Sequence, residues 1–136
     1  MGFLAVIIAT AVAFAFGAFW YGVFAAPWKV DSRVTLGDDG NPINAKTPTP
    51  YVICFVAQLL VAGFLRLLME SVGVTSLGNA LQWGLGVGLF FITPWIALLN
   101  GYTTRPFRLT MIDGGYATLG CGLMSLVMWF IAPLSA

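Results

Sequence analysis

Residues 3–26 read FLAVIIATAVAFAFGAFWYGVFAA, an apolar run without a charged side chain. A helix needs about 20 mostly apolar residues to cross the hydrocarbon core of a bilayer, and this run is longer than that. No positively charged region precedes it, and it exceeds the length of a signal-peptide core. We therefore expect these residues to form a membrane-spanning helix that is retained in the protein.

Three further apolar stretches follow the first, at residues 51–69, 77–99 and 109–132. The chain of 136 residues is 60% hydrophobic and only 8% charged, whereas soluble domains carry roughly 25% charged residues. The sequence therefore predicts an all-α integral membrane protein in which residues 1–136 form one transmembrane domain. Its four helices are expected to form two hairpins.

A polar stretch, residues 27–50, separates the first two spans and carries six of the eleven charged residues. Within it, the run Gly37-Asp38-Asp39-Gly40 predicts a turn, because glycine and aspartate favour turn conformations. The sequence does not decide whether residues 30–36 form a short strand or lie on the membrane surface.

Lysine and arginine are confined to two of the three predicted loops. The first loop carries Lys29, Arg33 and Lys46, the third carries Arg105 and Arg108, and the second carries neither residue type. Short loops rich in lysine and arginine usually face the cytoplasm. We therefore expect the first and third loops in the cytoplasm and both termini on the opposite side.

Small residues recur at intervals of four on the last two spans. The third span carries Gly84 and Gly88, and the fourth carries Gly114, Thr118 and Gly122. Lipid provides little hydrophobic drive for helix association, so close backbone approach over small residues supplies much of the attraction. These residues predict a helix-packing face, whose partner is either another span of the chain or a second protein.

Pro94 lies inside the third span, where it cannot donate the backbone hydrogen bond to the carbonyl group of Phe90. We expect the helix to kink there, with the hydroxyl group of Thr93 bonded to a nearby carbonyl group. The kink is either a device that shapes the bundle or part of a broken helix that lines a cavity.

Charged residues near the spans are candidate functional residues, because burying a charge in lipid is costly. Asn100, Arg105, Arg108 and Asp113 bracket the turn between the third and fourth spans. We expect the Asp113 carboxylate to pair with Arg105 or Arg108 and with Asn100. The alternative is that Asp113 belongs to a site for protons or a solute.

A second charged pair lies near the opposite end of the bundle. Arg66 and Glu70 are four residues apart near the end of the second span. On a helix this spacing places both side chains on one face, where they can form an ion pair. We expect a structural pair at the membrane interface.

Composition disfavours several classes of function. The chain contains no histidine, which is the commonest general base and metal ligand. Cys54 and Cys121 lie in apolar segments and are interpreted as small buried residues. A net charge of +1 gives no reason to expect a nucleic-acid partner. We therefore expect a non-catalytic protein without a metal or cofactor, in contact with membrane lipid.

Four distinctive segments occur along the chain: GAFWY at residues 17–21, TPY at 49–51, NGYTTRPFRL at 100–109 and IDGGY at 112–116. They resemble the bacterial membrane protein family catalogued as domain of unknown function 1761. The resemblance implies four spans and a bacterial inner membrane, and it implies no activity. Residues 34–44 depart from the more helical connection expected in this family.

The segments that carry the resemblance all lie at the predicted cytoplasmic edge. We therefore add Tyr116 to a polar cluster whose members are Asn100, Arg105, Arg108, Asp113 and Tyr116. Together these patterns favour an accessory or scaffolding subunit that packs against other membrane proteins or against copies of itself. The alternative is a small oligomeric channel or transporter with a polar site near Asp113.

Overall fold

The computed structural model describes residues 1–134, which form a bundle of helices. The helices are α1 (Gly2–Val23), α2 (Ala25–Asp31), α3 (Thr49–Ser71), α4 (Leu77–Val87), α5 (Thr93–Tyr102) and α6 (Phe107–Ile131). A π-helical turn, Gly88–Ile92, joins α4 to α5, so that the two form one continuous span, Leu77–Tyr102. This span, α1, α3 and α6 are each long and apolar enough to cross a membrane. The predicted all-α fold with four apolar spans is confirmed.

The first span is shorter than the apolar run that predicted it. Helix α1 ends at Val23, Phe24 leaves the helical conformation with φ −99° and ψ 17°, and α2 then continues to Asp31. Pro27 lies in the first turn of α2, where its missing N–H group leaves no helical hydrogen bond unmade. The helical chain therefore extends into the stretch that was predicted to be a polar loop.

The rest of the first loop is a compact turn and contains no strand. The amide of Gly40 donates to the carbonyl group of Gly37 over 3.0 Å, and that of Gly37 donates to the carbonyl group of Asn41 over 2.7 Å. Gly40 has a φ of +77°, which glycine adopts without steric penalty. Leu36 and Pro42 form an isolated bridge. The turn predicted at residues 37–40 is therefore present. Of residues 30–36, the first two complete α2 and the others form no strand.

Small side chains form the buried face of α1, and many large apolar side chains lie on the outside of the bundle. Ala5, Ala9 and Ala13 are fully buried on one face of α1, whereas Phe64 and Phe90 are each 72% exposed. A soluble protein would bury such phenylalanine side chains, but lipid solvates them well. This inverted distribution is what a bundle surrounded by hydrocarbon requires.

The third span packs against α6 through the predicted small residues. A Cβ atom added at Gly88 would overlap the backbone of Ala117 and Thr118, and one added at Gly84 would overlap Ser125 and the carbonyl group of Cys121. The same test places Gly114 against the Thr93 side chain, and Gly122 against Leu85 and Leu81. Both glycine faces are therefore occupied within the chain.

The third span accommodates Pro94 by forming the π-helical turn immediately before α5. Pro94 stands at the start of α5, where a missing N–H group is tolerated. The Thr93 hydroxyl group lies 2.7 Å from the Gly88 carbonyl oxygen and 3.1 Å from that of Gly114. The Thr93 side chain thus hydrogen-bonds a carbonyl group of the π-helical turn and also bridges the third span to α6, as side chains do at π-bulges in membrane helices.

The two ends of the bundle differ in character. We call the end of the bundle that contains Tyr21, Tyr51 and Asp113 the loop end. Here the C-terminal end of α1 lies near α2 and near the N-terminal parts of α3 and α6. At the opposite, terminal end, the Arg66 guanidinium group donates to the carbonyl oxygen of Ala132 over 2.6 Å. Most polar side chains with defined partners lie at the loop end.

We predict that Gly88→Leu destabilises the protein while Gly86→Leu does not. The first change forces a side chain into the backbone of α6, whereas a Cβ atom at Gly86 meets nothing within 4 Å. Overpacking of a tight interface costs about 1–3 kcal/mol, and leucine forms helix better than glycine. Thermal melting of both variants in mild detergent measures the effect. Equal melting temperatures would show that the contact between the third span and α6 contributes little to stability.

Candidate functional site

Asp113 lies at the loop end, deeper in α6 than the sequence suggested. Six residues separate it from Phe107, where α6 begins, which corresponds to about 9 Å along the helix axis. The positive end of the helix dipole acts mainly within the first turn, so its effect on this carboxylate is small. The partner of Asp113 comes from another span instead. The hydroxyl group of Tyr21, in α1, donates to Asp113 Oδ1 over 2.7 Å.

The predicted pairing of Asp113 with an arginine was wrong. Within residues 1–134 the ion pairs are Arg66–Glu70 and Arg108–Asp31. Arg108 projects from the first turn of α6, about one and a half turns before Asp113, and reaches α2 instead. Its Nε and Nη2 atoms donate to the two carboxylate oxygens of Asp31 over 2.5 and 2.7 Å. This two-pronged geometry satisfies the charge of Arg108 without Asp113.

The Arg108–Asp31 pair fastens α2 to the start of α6. Asp31 is 6% exposed, while the Arg108 side chain is 58% exposed. The hydrogen bonds from Arg108 lower the pKa of the Asp31 carboxyl group below its ordinary value, and the positive charge acts in the same direction. The sequence missed Asp31 because the pair joins residues 77 positions apart.

Asn100 and Arg105 hold the turn between the third span and α6, but they do not contact Asp113. The Asn100 side chain donates to the hydroxyl group of Thr110 over 3.1 Å. The backbone carbonyl oxygen of Asn100 accepts from the backbone amide of Arg105 over 2.9 Å. The five residues of the predicted polar cluster therefore separate into two groups. Asp113 and Tyr116 face α1. Asn100 and Arg105 stabilise the turn before α6, and Arg108 binds the end of α2.

An unanticipated contact joins the first and third loops. Nη2 of Arg33 donates to the carbonyl oxygen of Thr104 over 2.9 Å. Both residues have positive φ angles, 56° for Arg33 and 57° for Thr104. Such angles are uncommon for residues other than glycine. The contact therefore links two turns that carry unfavourable backbone conformations.

Tyr116 lies one turn beyond Asp113 and connects three spans. Its hydroxyl group donates to the carbonyl oxygen of Ala13 in α1 over 2.7 Å and accepts a hydrogen bond from the Gln58 amide in α3. Gly17 makes room for this ring, because a Cβ atom there would lie 2.6 Å from the tyrosine oxygen. Gln58 was overlooked, although a lone glutamine in an apolar span is itself a signal of a buried polar contact.

Trp20, which precedes Tyr21 in α1, makes a second contact with α6. Its indole N–H group donates to the carbonyl oxygen of Ile112 over 2.9 Å. Gly115 leaves space for the ring, because a Cβ atom there would lie 2.9 Å from Trp20. Trp20 and Tyr21 therefore both connect α1 to α6.

The half-buried Asp113 carboxylate opens onto a groove of about 730 Å³ at the loop end. Aromatic residues from four helices line the groove: Tyr21 of α1, Trp28 of α2, Tyr51 of α3 and Tyr116 of α6. An inner pocket of about 370 Å³ between α1 and α3 shares these four aromatic residues and reaches Cys54. The site is therefore one carboxylate among aromatic rings, with an apolar pocket beside it.

The remaining predicted pair, Arg66 and Glu70, lies far from this groove, at the terminal end. Arg66 Nε donates to Glu70 Oε1 over 2.7 Å, and the guanidinium group also reaches the end of α6 at Ala132. The Arg66 side chain is 11% exposed and that of Glu70 is 46% exposed. The pair thus anchors the end of α3 to the end of α6, which is a structural role.

We predict that the Arg108–Asp31 pair makes stability sensitive to acid. A lowered pKa in the folded state means that the contribution is complete at neutral pH. It is lost as the pH falls below the ordinary carboxyl value of about 4 and through the lowered pKa. Arg108→Gln should therefore reduce the melting temperature slightly at pH 7, and should reduce the loss of stability between pH 5 and pH 3.

The matched control is Arg33→Gln, which removes an arginine of the same end that contacts a carbonyl group rather than an acid. Melting curves of the parent protein and both variants across that pH range provide the comparison. If Arg108→Gln and the parent protein lose stability on acidification to the same extent, the pair does not carry this dependence.

Comparison with known proteins gives one match. Residues 4–129 match the model of a family described as "Protein of unknown function (DUF1761)". No curated protein and no solved structure matches the chain significantly. The matched region includes nearly all of the four spans and every residue of the groove named above. The chain therefore belongs to the DUF1761 family, whose function is not known.

Proposed function

We propose that this protein is a small membrane carrier that binds a cation, or exchanges it for a proton, at Asp113. The observation that carries the proposal is the placement of this carboxylate inside a groove at the edge of the bundle, where no arginine or lysine among residues 1–134 forms an ion pair with it. Acidic groups at membrane depth are costly and commonly mark ion or substrate pathways.

The other acidic residues of the described chain are accounted for differently. Asp31 and Glu70 form ion pairs, and Asp38 and Asp39 lie in the exposed turn of the first loop. Asp113 is the acidic residue that faces a cavity and lacks a basic partner. Its charge can therefore be balanced by a ligand or by a proton.

The structural support for an accessory or scaffolding role has weakened. That interpretation rested in part on small-residue faces whose partner was either another span of the chain or a second protein. Gly84, Gly88, Gly114 and Gly122 instead pack between the third span and α6. The accessory role is therefore our second choice. Four spans enclose a groove rather than a closed pore, so we propose that copies of the chain associate to complete a path.

We further propose that the loop end faces the cytoplasm of a bacterial cell and that both termini lie on the other side of its inner membrane. Five basic residues lie in or beside the loops of this end: Lys29, Arg33, Lys46, Arg105 and Arg108. The opposite loop between α3 and α4 carries none. Positive charge of this kind favours retention in the cytoplasm. The groove would then open toward the cytoplasm.

Reporter fusions test this orientation. We predict that a periplasmic reporter, alkaline phosphatase, is active when fused after the last residue, whereas a cytoplasmic reporter such as green fluorescent protein is dark there. A reporter inserted after Gly40, in the exposed turn of the first loop, should show the reverse behaviour. Activity of the cytoplasmic reporter at the C-terminus would invert the orientation and open the groove to the outside.

We predict that Asp113→Asn abolishes cation-dependent proton movement without unfolding the protein. Purified protein is reconstituted into vesicles that contain a pH-sensitive dye and hold an imposed pH gradient. Salts of sodium, potassium and an organic ammonium ion are then added in turn. At least one should collapse the gradient, and Asp113→Asn should slow that collapse by about tenfold or more, because the exchanging carboxylate is gone.

Glu70→Gln is the matched control, because Glu70 is the other acidic residue within a described span and lies at the terminal end. It should leave the rate unchanged. Melting temperatures measured beside the rates separate loss of exchange from loss of folding. A folded Asp113→Asn variant that exchanges as fast as the parent protein would disprove the proposed function.

A further inference from the structure

We propose that the ligand of the groove is an organic ammonium ion with an apolar body. This inference rests on the proposed function and gives the chemical class of its substrate. The features that carry it are the composition of the walls around Asp113, the pocket beside it, and the position of the charged groups at the rim.

The groove has the composition of an aromatic cage. Tyr21, Trp28, Tyr51 and Tyr116 all line it beside the carboxylate. The ring of Tyr21 lies edge-on to two of the others, with centroids 5.9 Å from Trp28 and 5.4 Å from Tyr116. The faces of aromatic rings attract cations, and cages of such rings recognise quaternary ammonium groups.

Asp113 supplies the negative charge that such a ligand needs. One carboxylate with no basic partner in ion-pair contact complements a single positive charge. The hydrogen bond from Tyr21 fixes the position of the carboxylate, so the charge is held in place before the ligand arrives. Preorganisation of this kind reduces the entropy lost on binding.

The same walls suit a metal ion poorly. Calcium takes six to eight oxygen ligands, and magnesium requires a nearly octahedral set. Within the described residues, no three histidine, cysteine or acidic side chains are close enough to hold a metal ion. Around Asp113 the groove presents aliphatic side chains, including Ile92 and Ile96. A large cation with diffuse charge needs fewer ligands and gains from contact with carbon.

The inner pocket accounts for the apolar body. Phe14, Ala18 and Pro50 line it together with Cys54, and no charged residue does. It adjoins the groove through the four shared aromatic residues, so a ligand can place its charged group beside Asp113 and its apolar part between α1 and α3. Burial of that part removes apolar surface from water and so favours binding.

Lys29 is the charged residue at the rim that opposes a cationic ligand. It lines the groove, and its amino group donates to the Asn41 side chain over 3.2 Å. Asn41 in turn donates to Asp39, so this network holds the lysine toward the first loop. Repulsion from Lys29 should therefore weaken binding, and its removal should strengthen it.

Calorimetric titration of the purified protein with benzyltrimethylammonium tests the proposal. The detergent must be uncharged, so that it does not compete with the ligand. The neutral compound 2,2-dimethylpropylbenzene has nearly the same shape and measures what the charge contributes. We expect the cation to bind about tenfold more tightly than the neutral compound. Equal binding of the two would overturn the proposal, and so would the absence of binding by the cation.

Four variants locate the site. Asp113→Asn should weaken binding of the cation about tenfold, and Trp28→Leu about threefold, because each removes one part of the cage. Lys29→Gln should tighten binding about twofold, through loss of like-charge repulsion across a solvated rim. Asp38→Asn, an exposed residue of the first loop that does not line the groove, is the control and should change nothing.

These variants do not all depend on the same part of the fold. Trp28 and Lys29 lie in α2, outside the four spans, so their effects remain interpretable if Asp113→Asn proves unstable. Cation binding that is unchanged in both Trp28→Leu and Lys29→Gln would place the ligand elsewhere and overturn the proposal.

The proposed ligand class and the proposed carrier function can fail independently, and the measurements distinguish the two failures. Exchange of sodium or potassium through Asp113, without binding of the ammonium ion, would overturn the ligand class and leave the carrier function standing. Binding of the ammonium ion at the groove without any exchange in vesicles would support the ligand class and contradict the carrier function.

Discussion

The close contact between the third span and α6 is the constraint on which the rest of the structure depends. Gly88 faces the backbone of Ala117 and Thr118 without room for a Cβ atom. In lipid, where exposed apolar surface is not penalised, such dense packing is a main source of attraction between helices. It also determines where the Thr93 hydroxyl group can bridge to the Gly114 carbonyl group, and therefore where the helix accommodates Pro94.

With α6 fixed in this way, the face that carries Asp113 and Tyr116 turns toward α1. Both residues find their partners there, at Tyr21 and at the Ala13 carbonyl group. Two basic residues of the nearby loops bind other groups, Arg108 the Asp31 carboxylate and Arg33 the Thr104 carbonyl oxygen. The loops are thus held by charge-assisted contacts, whereas the carboxylate inside the bundle is held by a neutral hydroxyl group. In the function that we propose, this separation leaves the Asp113 carboxylate free to bind a cation or a proton.

The groove is a consequence of the same arrangement. Helix α1 stops at Val23 and α2 resumes at Ala25, so that Trp28 lies beside the carboxylate instead of continuing the span. The aromatic residues at this end would serve as interfacial anchors in many membrane proteins. Here four of them line the same groove as an acidic residue, and this arrangement is the basis for the ligand that we propose.

The number of spans, a disturbance of the helix at Pro94 and the small-residue faces can all be predicted from the sequence alone, because length, apolarity and residue spacing are local properties. The sequence also indicates the ion pair of Arg66 and Glu70, whose spacing of four follows from helix geometry. The pairing of acidic with basic residues between distant segments becomes visible in the folded bundle. Asp31 and Arg108 are 77 positions apart, and Tyr21 and Asp113 are 92 apart, so no local pattern connects them. The break at Phe24 was equally hidden, because an apolar run extends across it. Pairing between spans depends on which faces the packed backbones bring together, and that is a property of the whole bundle.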